Sequence, residues 1–421
     1  MKKIKYIDLF CGIGGLRLGF EQALKELNIK GECLFSSEIK PSAIKVYKQN
    51  FPKSNISGDI TKICEKDIPN FDFLLAGFPC QAFSSAGKQL GFEDTRGTLF
   101  FDIARILKEK KPTGFILENV EGLVNHDKGK TFRVIKSILS DLGYILSYKV
   151  INGADFSLAQ SRKRIYIVGN KKEKITIDDY NPKTSILNNI LEKDVEVSET
   201  EFTKQLLSHF KLKDLYGKSI KDKRGGINNI HSWDIELKGE ISYDQKNLLE
   251  ILLKERRKKH WAEKIGITWM DGMPLTFEQI QSFFQHPKLK PMLNDLVNKG
   301  YLKYEHPKER IGNKRVPDIE KPKGYNIVTG KLSFEYSKIL SPYETTPTLV
   351  ATDVSRLGIP SENPIGIRTL TTREGLRLFG FPENYDMNYV NKREAFDLLG
   401  NTVCVPVIKY VSYKQLLSLK D

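Results

Sequence analysis

The stretch that decides the fold, residues 6–27, reads YIDLFCGIGGLRLGFEQALKEL. It begins with an apolar strand pattern over Tyr6–Phe10 and ends with the pattern of an amphipathic helix. Between them, Gly12, Gly14 and Gly15 allow a sharp turn and a close approach of the backbone to a ligand. A strand, a glycine turn and a helix in this order predict the first unit of an open α/β sheet that binds a ligand at its edge.

The same alternation of short apolar runs and amphipathic stretches continues to about Gly169. Short runs that are apolar throughout are typical of strands buried on both faces. Their alternation with helices predicts a doubly wound, mostly parallel sheet. The predicted strands are Tyr6–Phe10, Cys33–Ser37, Phe73–Ala76, Gly114–Leu117, Leu146–Val150 and Ile165–Val168. The predicted helices are Leu16–Leu27, Ser42–Asn50, Leu99–Lys108 and Thr131–Leu142.

The pattern changes after Asn170, where a polar run begins and the α/β alternation is lost until about Arg368. This middle region holds all three tryptophans and the basic run Lys254–His260. We therefore predict a first domain over residues 1–170, a second, smaller domain over residues 171–366, and a C-terminal segment over residues 367–421 that returns to the first domain.

The composition favours a polyanionic partner. The chain of 421 residues carries 67 Lys and Arg against 52 Asp and Glu, a formal net charge of +15. A basic enzyme without such a partner is equally compatible with charge alone. The sequence has no apolar run long enough to span a membrane and no apolar signal region after its first residues. Its five cysteines form no CxxC pair, so we expect no metal site or disulfide framework and a cytoplasmic location.

Acidic residues follow the next predicted strands. Glu38 comes 23 residues after Gly15, where a carboxylate can accept hydrogen bonds from ribose hydroxyls. Asp59 follows a further short apolar stretch and could meet an adenine amino group. The pattern fits NAD, FAD or S-adenosylmethionine, and it also fits a glycine turn that serves only packing. Because Leu16 and Arg17 follow Gly15, the spacing departs from GxGxxG, which weakens the case for a pyrophosphate ligand.

A nucleophile and charged partners follow other strands. The strand over Phe73–Ala76 breaks at Gly-Phe-Pro and is followed by Cys80. A lone cysteine is usually a small core residue. However, the next predicted strand leads into Glu118, and Arg162 and Arg164 precede another strand. One nucleophile, one carboxylate and two guanidiniums at one edge of a sheet predict a catalytic site.

These residues, with others in the same order, closely resemble the DNA (cytosine-5)-methyltransferase family. The resemblance covers residues 7–169 and 368–411, and its Phe-Pro-Cys-Gln and Glu-Asn-Val blocks are the most specific. In two places the sequence departs from the family pattern: Cys11 replaces the common Ala, and Leu158-Ala159 replaces an aliphatic-Pro step. The motifs that carry the resemblance are Asp8–Gly15, Gly77–Ser84, Gly91–Gly97, Glu118–Val120, Gln160–Arg164, Arg368–Thr371, Gly380–Pro382 and Gly400–Val403.

The resemblance implies a Rossmann-like, S-adenosylmethionine-dependent methyltransferase domain with a covalent mechanism. Cys80 would add as a thiolate to carbon 6 of cytosine, so that carbon 5 can accept the methyl group. Glu118 would hold ring nitrogen 3 and the exocyclic amine, and Arg164 would hold the ring carbonyl. Arg162 and Asn119 would support them. The target base must leave the stacked duplex to reach this site.

The resemblance also implies the binding residues. The S-adenosylmethionine pocket would be lined by Phe10, Gly12, Gly14, Gly15, Glu38, Asp59, Ile60, Pro79, Leu99, Asn401 and Val403. Residues 84–97 would form a mobile lid over DNA, although the same residues could be a plain surface loop. Residues 171–366 would be the target-recognition domain, although the run Lys254–His260 could equally be a solvated helix face. The DNA-contacting residues would be Gln81, Ser84, Ser85, Lys88, Arg96, Arg224, Arg256 and Arg257.

Three alternatives stay open from the sequence: RNA as the substrate, a catalytically silent DNA-binding regulator on the same fold, and a nicotinamide dehydrogenase. Intact Cys80, Glu118 and Arg164 argue against the regulator. The stand-alone layout resembles bacterial modification methyltransferases. We therefore expect a monomer that acts on double-stranded DNA, with a restriction endonuclease in the same system that is not stably bound.

Overall fold

The computed structural model describes residues 3–79, 99–223, 225–312, 314–329, 334–350 and 354–419. The chain forms two compact units. The division between them falls after Glu192, whereas the sequence suggested a division after residue 170. The first unit comprises Met1–Glu192, Pro342–Ser355 and Leu370–Asp421, and the second comprises Lys193–Ser341 and Arg356–Thr369.

The first unit is built on a seven-stranded sheet. Its strands are β1 (Ile4–Leu9), β2 (Gly31–Ser37), β3 (Ile56–Ser57), β4 (Phe73–Gly77), β5 (Gly114–Val120), β6 (Ile145–Asn152) and β7 (Lys163–Asn170). They lie in the order β3-β2-β1-β4-β5-β7-β6, with β7 antiparallel to both neighbours and the other pairs parallel. The predicted doubly wound, mostly parallel α/β fold is confirmed. The two-residue β3 was not predicted as a strand.

Helices connect these strands, and the predicted helices agree with their bounds to within two residues. They are α1 (Gly15–Glu26), α2 (Pro41–Asn50), α3 (Leu99–Lys110) and α4 (Lys130–Asp141). Helix α1 begins directly after Gly14, whose φ of 84° lies in the left-handed region that glycine adopts without strain. Helix α2 begins with Pro41, which suits a first turn because that position needs no backbone N–H donor.

The core of the first unit lies on the sheet. Ile7, Leu74, Leu117 and Val168 are fully buried. Each such side chain contributes roughly 1.5–3 kcal/mol to stability relative to an exposed one. Central strands with continuous apolar runs are therefore the ones that the sequence identifies most readily.

The second unit contains helices and short strands. The helices are α5 (Glu201–His209), α6 (Tyr243–Glu255), α7 (Lys259–Lys264), α8 (Phe277–Phe283) and α9 (Leu289–Asn298). The strands are β8 (Ser219–Ile220), β9 (Asn229–Ile230), β10 (Leu302–Glu305), β11 (Lys308–Ile311), β12 (Lys314–Pro317), β13 (Gly324–Ile327), β14 (Lys338–Ile339), β15 (Leu357–Glu362) and β16 (Ile365–Arg368). One sheet has the order β16-β15-β14-β8-β9, while β10 pairs with β13 and β11 with β12.

The end of the chain completes the first unit with α10 (Thr372–Leu378), α11 (Lys392–Gly400) and α12 (Val405–Leu417). Helix α12 packs closely on α1, because a Cβ atom on Gly19 would lie only 2.6 Å from Cβ of Ile408. Glycine at position 19 therefore allows the two helices to approach. In the described part of the chain, no helix is long and apolar enough to cross a membrane.

A buried polar network surrounds Asp8, near the end of β1. Its Oδ2 accepts a hydrogen bond from the Tyr47 hydroxyl at 3.3 Å, and Arg17 approaches the same hydroxyl at 3.4 Å. Within the described residues, Asp8 Oδ1 has no hydrogen-bond partner. Burial raises the pKa of Asp8 to about 7, against the opposing effects of Arg17 and Tyr47. Asp8 therefore titrates far above an exposed aspartate.

This network predicts a pH-dependent effect of Asp8→Asn. Between about pH 4 and pH 7 the folded protein keeps a proton on Asp8 that the unfolded chain has released, so this group's contribution to stability is lost as pH rises. Asparagine does not titrate. The stability of the variant relative to the native chain should therefore increase across this window, by up to roughly 4 kcal/mol. Urea unfolding at a series of pH values measures the change.

The matched control for this experiment is Asp141→Asn at the exposed end of α4. It removes an exposed carboxyl group, and its difference from the native chain sets the baseline for Asp8→Asn. A constant difference for Asp8→Asn across the same window would contradict the raised pKa.

Candidate active site

A buried carboxylate and a guanidinium form the centre of the candidate site. Glu118 lies on β5 opposite Gly77 of β4 and is 8% exposed. Its Oε1 lies 3.1 Å from Nε of Arg164, which comes from the neighbouring strand β7. The two strands thus bring together two residues that are 46 positions apart in the printed sequence.

The electrostatics of Glu118 combine opposing effects. Burial raises its pKa, and the positive charges of Arg164 and Arg162 lower it, with burial the larger effect. The result is a pKa above the usual range of a glutamate. Such a carboxyl group can hold a proton more readily than an exposed one, and can donate or accept a hydrogen bond at a ring nitrogen.

Asn119 secures the end of the strand that leads to the predicted nucleophile. Its Nδ2 donates to the Phe78 carbonyl at 2.9 Å, and its Oδ1 accepts from the backbone N–H of Val120 at 2.8 Å. Phe78 is buried, and Pro79 after it is exposed. Cys80 follows in the chain and lies outside the described residues. Asn119 therefore links the end of β4 to the strand that carries Glu118.

Arg162 is buried and holds distant segments together. Its guanidinium donates to the carbonyl oxygens of Leu349 at 3.1 Å, Gly400 at 3.0 Å and Thr402 at 2.8 Å. Burial lowers the pKa of its guanidinium, with the nearby charge of Arg164 adding to this effect. In this structure Arg162 therefore holds the segments around Leu349 and Thr402 in place beside Arg164.

A cleft opens next to Arg164. It has a volume of about 310 Å³ and is lined by Val120, Glu121, Gly122, Ser161, Lys163, Arg164 and Thr348. The Thr348 hydroxyl donates to the Ser161 carbonyl at 2.6 Å, which fixes Thr348 at one side of this cleft.

A second group of predicted residues gathers around the glycine turn. Glu38 follows β2, and its Oε2 accepts a hydrogen bond from the Gly12 backbone N–H at 2.9 Å. Its Oε1 accepts from the backbone N–H groups of Ile39 and Lys40, at 2.8 and 2.9 Å. The Glu38 carboxylate thus stabilises the glycine turn from its position at the end of β2.

Open space at the turn suits a ligand. Among the described residues, and apart from the chain neighbours of Gly12, no heavy atom lies within 4 Å of the position that a Cβ atom on Gly12 would occupy. A Cβ atom on Gly15, by contrast, would lie 2.9 Å from both Thr402 Oγ1 and Val403 Cγ2, so the segment before α12 packs directly on the turn. Asn401 in that segment is exposed, and Phe10 before the turn is half-buried.

The remaining predicted pocket residues follow the adjacent strands. Asp59 comes after β3, accepts from the Thr61 backbone N–H at 3.0 Å and lines a cleft of about 460 Å³. Ile60 beside it is buried, and Leu99 begins α3. Carboxylates after β2 and β3, open space at Gly12 and a neighbouring cleft fit a ligand with ribose hydroxyls and an adenine amino group.

Comparison with known proteins agrees with this geometry. Residues 4–416 match the family described as C-5 cytosine-specific DNA methylase. The chain belongs to this family. It is therefore a DNA (cytosine-5)-methyltransferase, and its methyl donor is S-adenosylmethionine. The assignment removes the nicotinamide dehydrogenase alternative.

Relatives of this methylase match it along its whole length. It is 57% identical to the Type II methyltransferase M.NlaIV of Neisseria lactamica and 56% identical to the Type II methyltransferase M.NgoBV of Neisseria gonorrhoeae, each over 100% of both chains. A crystal structure of the S. pombe Dnmt2 methyltransferase covers 100% of both chains with a TM-score of 0.55 and 16% identity. That likeness supports the fold.

The structure describes two of the predicted DNA-contacting residues of this methylase, and only one of them is accessible. Arg256 is buried, and its Nη1 donates to Asn326 Oδ1 at 2.5 Å and to the Ile327 carbonyl at 3.3 Å. The predicted contact between Arg256 and DNA does not fit this placement. Arg257 is partly exposed and pairs with Asp271, with 2.6 Å between Nε and Oδ1. The other predicted contacts, Gln81, Ser84, Ser85, Lys88, Arg96 and Arg224, lie outside the described residues.

Glu38→Gln should weaken binding of S-adenosylmethionine to this methylase by about tenfold, because hydrogen bonds from ribose hydroxyls to a carboxylate are stronger than those to a neutral amide. Isothermal titration with the cofactor alone measures the dissociation constant. Glu32→Gln, at the exposed other end of β2, should leave it unchanged. Equal constants for the native chain and Glu38→Gln would contradict a role for Glu38 in cofactor binding.

Proposed function

We propose that this methylase modifies one cytosine within a specific double-stranded DNA sequence through a covalent bond to Cys80. The observation that carries the proposal is the buried pair of Glu118 and Arg164 beside the end of the strand that leads to Cys80. Two of its whole-length relatives are named Type II methyltransferases. This supports a role as the modification half of a restriction-modification system.

The charged pair suits the two sides of a cytosine ring. Glu118 is the group that can hold ring nitrogen 3 and the exocyclic amine, because a carboxyl group both donates and accepts when protonated. Arg164 offers N–H donors for the ring carbonyl oxygen. Both groups are largely shielded from water, so their hydrogen bonds to developing charge are stronger than they would be in solution.

Methyl transfer to carbon 5 proceeds through an adduct between Cys80 and the cytosine ring. The Cys80 thiolate forms a bond to carbon 6, and the electron pair of the 5,6 double bond becomes available at carbon 5. Bound S-adenosylmethionine, which Glu38 and Asp59 would hold, would supply a methyl cation equivalent to carbon 5 and would leave as the neutral thioether S-adenosylhomocysteine. A base removes the carbon-5 proton, the bond between carbon 6 and sulfur breaks, and the aromatic ring is restored. Glu118 and Arg164 stabilise the charge on the ring throughout.

We assign the catalytic and cofactor-binding domain to the first unit, Met1–Glu192 with Pro342–Ser355 and Leu370–Asp421, and the target-recognition domain to the second unit, Lys193–Ser341 with Arg356–Thr369. A restriction endonuclease of the same specificity would be the functional partner and would act on the same DNA without a stable complex. The methylase itself would act as a monomer in the cytoplasm. Sedimentation of the purified chain should then show one species of 48.2 kDa.

A trapping experiment tests the covalent step. DNA amplified with 5-fluorodeoxycytidine triphosphate carries fluorine at carbon 5, which a base cannot remove as a proton, so the adduct with the enzyme should persist. With S-adenosylmethionine present, the native chain should form a complex that survives a denaturing gel. Cys80→Ser should form none. Trapping on a fluorinated RNA transcript but not on DNA would overturn the assignment of the substrate.

A further inference from the structure

Part of the second unit has the element order of a known kind of DNA-binding module. From α6 onward the chain passes through the short helix α7 and a β-bridge between Leu275 and Tyr325, then α8, α9, β10, the ribbon of β11 and β12, and β13. Strands β10 and β13 pair with each other, so the ribbon extends from the connection between them. Apart from the added helix α7, and with the bridge at Leu275 in place of a first strand, this is the element order of a winged helix-turn-helix.

This segment has its own hydrophobic core. Leu249 of α6, Ile280 of α8, Leu293 of α9 and Tyr325 of β13 belong to one buried cluster. Trp233 and Ile241, just before α6, also belong to this cluster. A separate cluster lies around Leu206, Tyr336 and Ile339. The segment over residues 243–327 therefore packs as a module around α6, α8 and α9.

The ribbon of this module is exposed and basic. Every residue of β12 is exposed, as are three of the four residues of β11. Lys308, Arg310, Lys314 and Arg315 lie on it against a single acidic residue, Glu309. The ribbon is thus a positively charged projection of the second unit.

Two arginines on the ribbon lie directly opposite each other. The register pairs Arg310 with Arg315 across the two strands, which places both side chains on one face together with Lys308. Neither guanidinium has a carboxylate partner in the described ranges; Arg310 Nε donates only to the Gly312 carbonyl, at 3.1 Å. Like charges opposite each other on a ribbon are destabilising. A polyanion bound to this face would remove the repulsion.

The helix before the ribbon offers a polar face. Lys290, Asn294 and Asn298 follow one another at helical spacing on α9 and are exposed, while Leu289, Leu293 and Leu296 on the other side are buried. Amide and ammonium groups of this kind can bond to base edges in a major groove, which is wide enough for a helix or a two-stranded ribbon.

We propose that residues 243–327 form a winged-helix module that binds duplex DNA, with Arg310 and Arg315 of the ribbon contacting phosphates. The proposal rests on the proposed function, because it names the surface by which the second unit holds the DNA substrate. Charge complementarity identifies the partner. The ribbon carries Arg310 and Arg315 on adjacent strands, directly opposite each other. Duplex DNA is the polyanion on which a methylase of this family acts.

Two variants of the full chain test the module. In Arg310→Gln/Arg315→Gln, the dissociation constant for a labelled pool of random-sequence duplexes should rise at least about tenfold. The slope of log K against log salt should become shallower by about 2, since two phosphate contacts are lost. KM for genomic DNA should rise, while kcat at saturating DNA and the affinity for S-adenosylmethionine stay unchanged.

Arg315→Glu separates DNA contact from ribbon stability. The new carboxylate faces Arg310, so the ribbon should be at least as stable as in the native chain, with no fall in Tm. DNA affinity should nevertheless fall. Lys211→Gln/Lys213→Gln, which removes two exposed charges elsewhere in the second unit, should change affinity less than twofold.

Native DNA affinity and native salt slope in Arg310→Gln/Arg315→Gln would overturn the proposal, as would an equal loss in Lys211→Gln/Lys213→Gln. Failure of the proposed function would look different, because the native chain would then transfer no methyl group to DNA whatever the ribbon variants bind.

Discussion

Glu118→Gln should reduce kcat for methyl transfer by about 10² to 10³-fold. The substitution keeps the size of the side chain but removes the negative charge that pairs with Arg164 at 3.1 Å. Unlike the buried carboxyl group with its raised pKa, the amide also cannot take up a proton and transfer it to a ring nitrogen. Both changes weaken stabilisation of charge on the ring, which matters in the transition state more than in binding. Steady-state kinetics with labelled S-adenosylmethionine measure the loss.

The control for this prediction is Glu109→Gln at the exposed end of α3, which should keep native kcat. Cofactor affinity should stay native in Glu118→Gln, because the residue lies on β5, which β4 separates from the strand β1 that leads into the glycine turn. A variant that loses cofactor binding instead of kcat would contradict the role assigned to Glu118.

Arg162→Ala should destabilise the protein by about 3–5 kcal/mol. Three carbonyl oxygens, of Leu349, Gly400 and Thr402, would lose a charged donor within the protein interior. The truncated side chain would also leave a cavity where Arg162 now packs on the Phe379 ring, 5.1 Å from its centroid. Chemical denaturation followed by circular dichroism measures the free energy of unfolding.

Arg133→Ala on the exposed face of α4 is the matched substitution, and it should change stability by less than about 0.5 kcal/mol. If Arg162→Ala were as stable as Arg133→Ala while methyl transfer was lost, Arg162 would act on the substrate and not as a support.

The sequence predicted those strands in which a continuous run of apolar residues coincides with burial on both faces of the sheet. Strands such as β4 and β5 are apolar over nearly their whole length and are buried on both faces, so their positions followed from the sequence. Strand β3 has only two half-buried residues, which give no apolar run to detect. The division after Glu192 escaped prediction because residues 171–192 are polar and irregular yet belong to the first unit.

The site divides in the same way. Glu118 and Glu38 lie at the carboxyl ends of parallel strands, which meet at one edge of the sheet, and Arg164 lies at the amino end of the antiparallel β7, which reaches the same edge. The bonds of Arg162 reach residues as far as 240 positions away, and no spacing rule predicts them. Arg256 belongs to a run of charged residues that looked solvated, yet its side chain is buried and donates a hydrogen bond to Asn326. The ribbon over β11 and β12 could have been recognised from its basic residues on both sides of Gly312. The net charge of the whole chain did not distinguish this segment from other basic segments.

The central claim is tested most directly by mapping 5-methylcytosine at base resolution in unmethylated genomic DNA incubated with S-adenosylmethionine and the purified chain. The account predicts methylation at one position of one short recurring sequence, and none after incubation with Cys80→Ser. Methylation at cytosines that share no sequence would contradict the assignment of a target-recognition domain. Native levels of methylation by Cys80→Ser, or transfer to RNA and not to DNA, would contradict the covalent DNA mechanism itself.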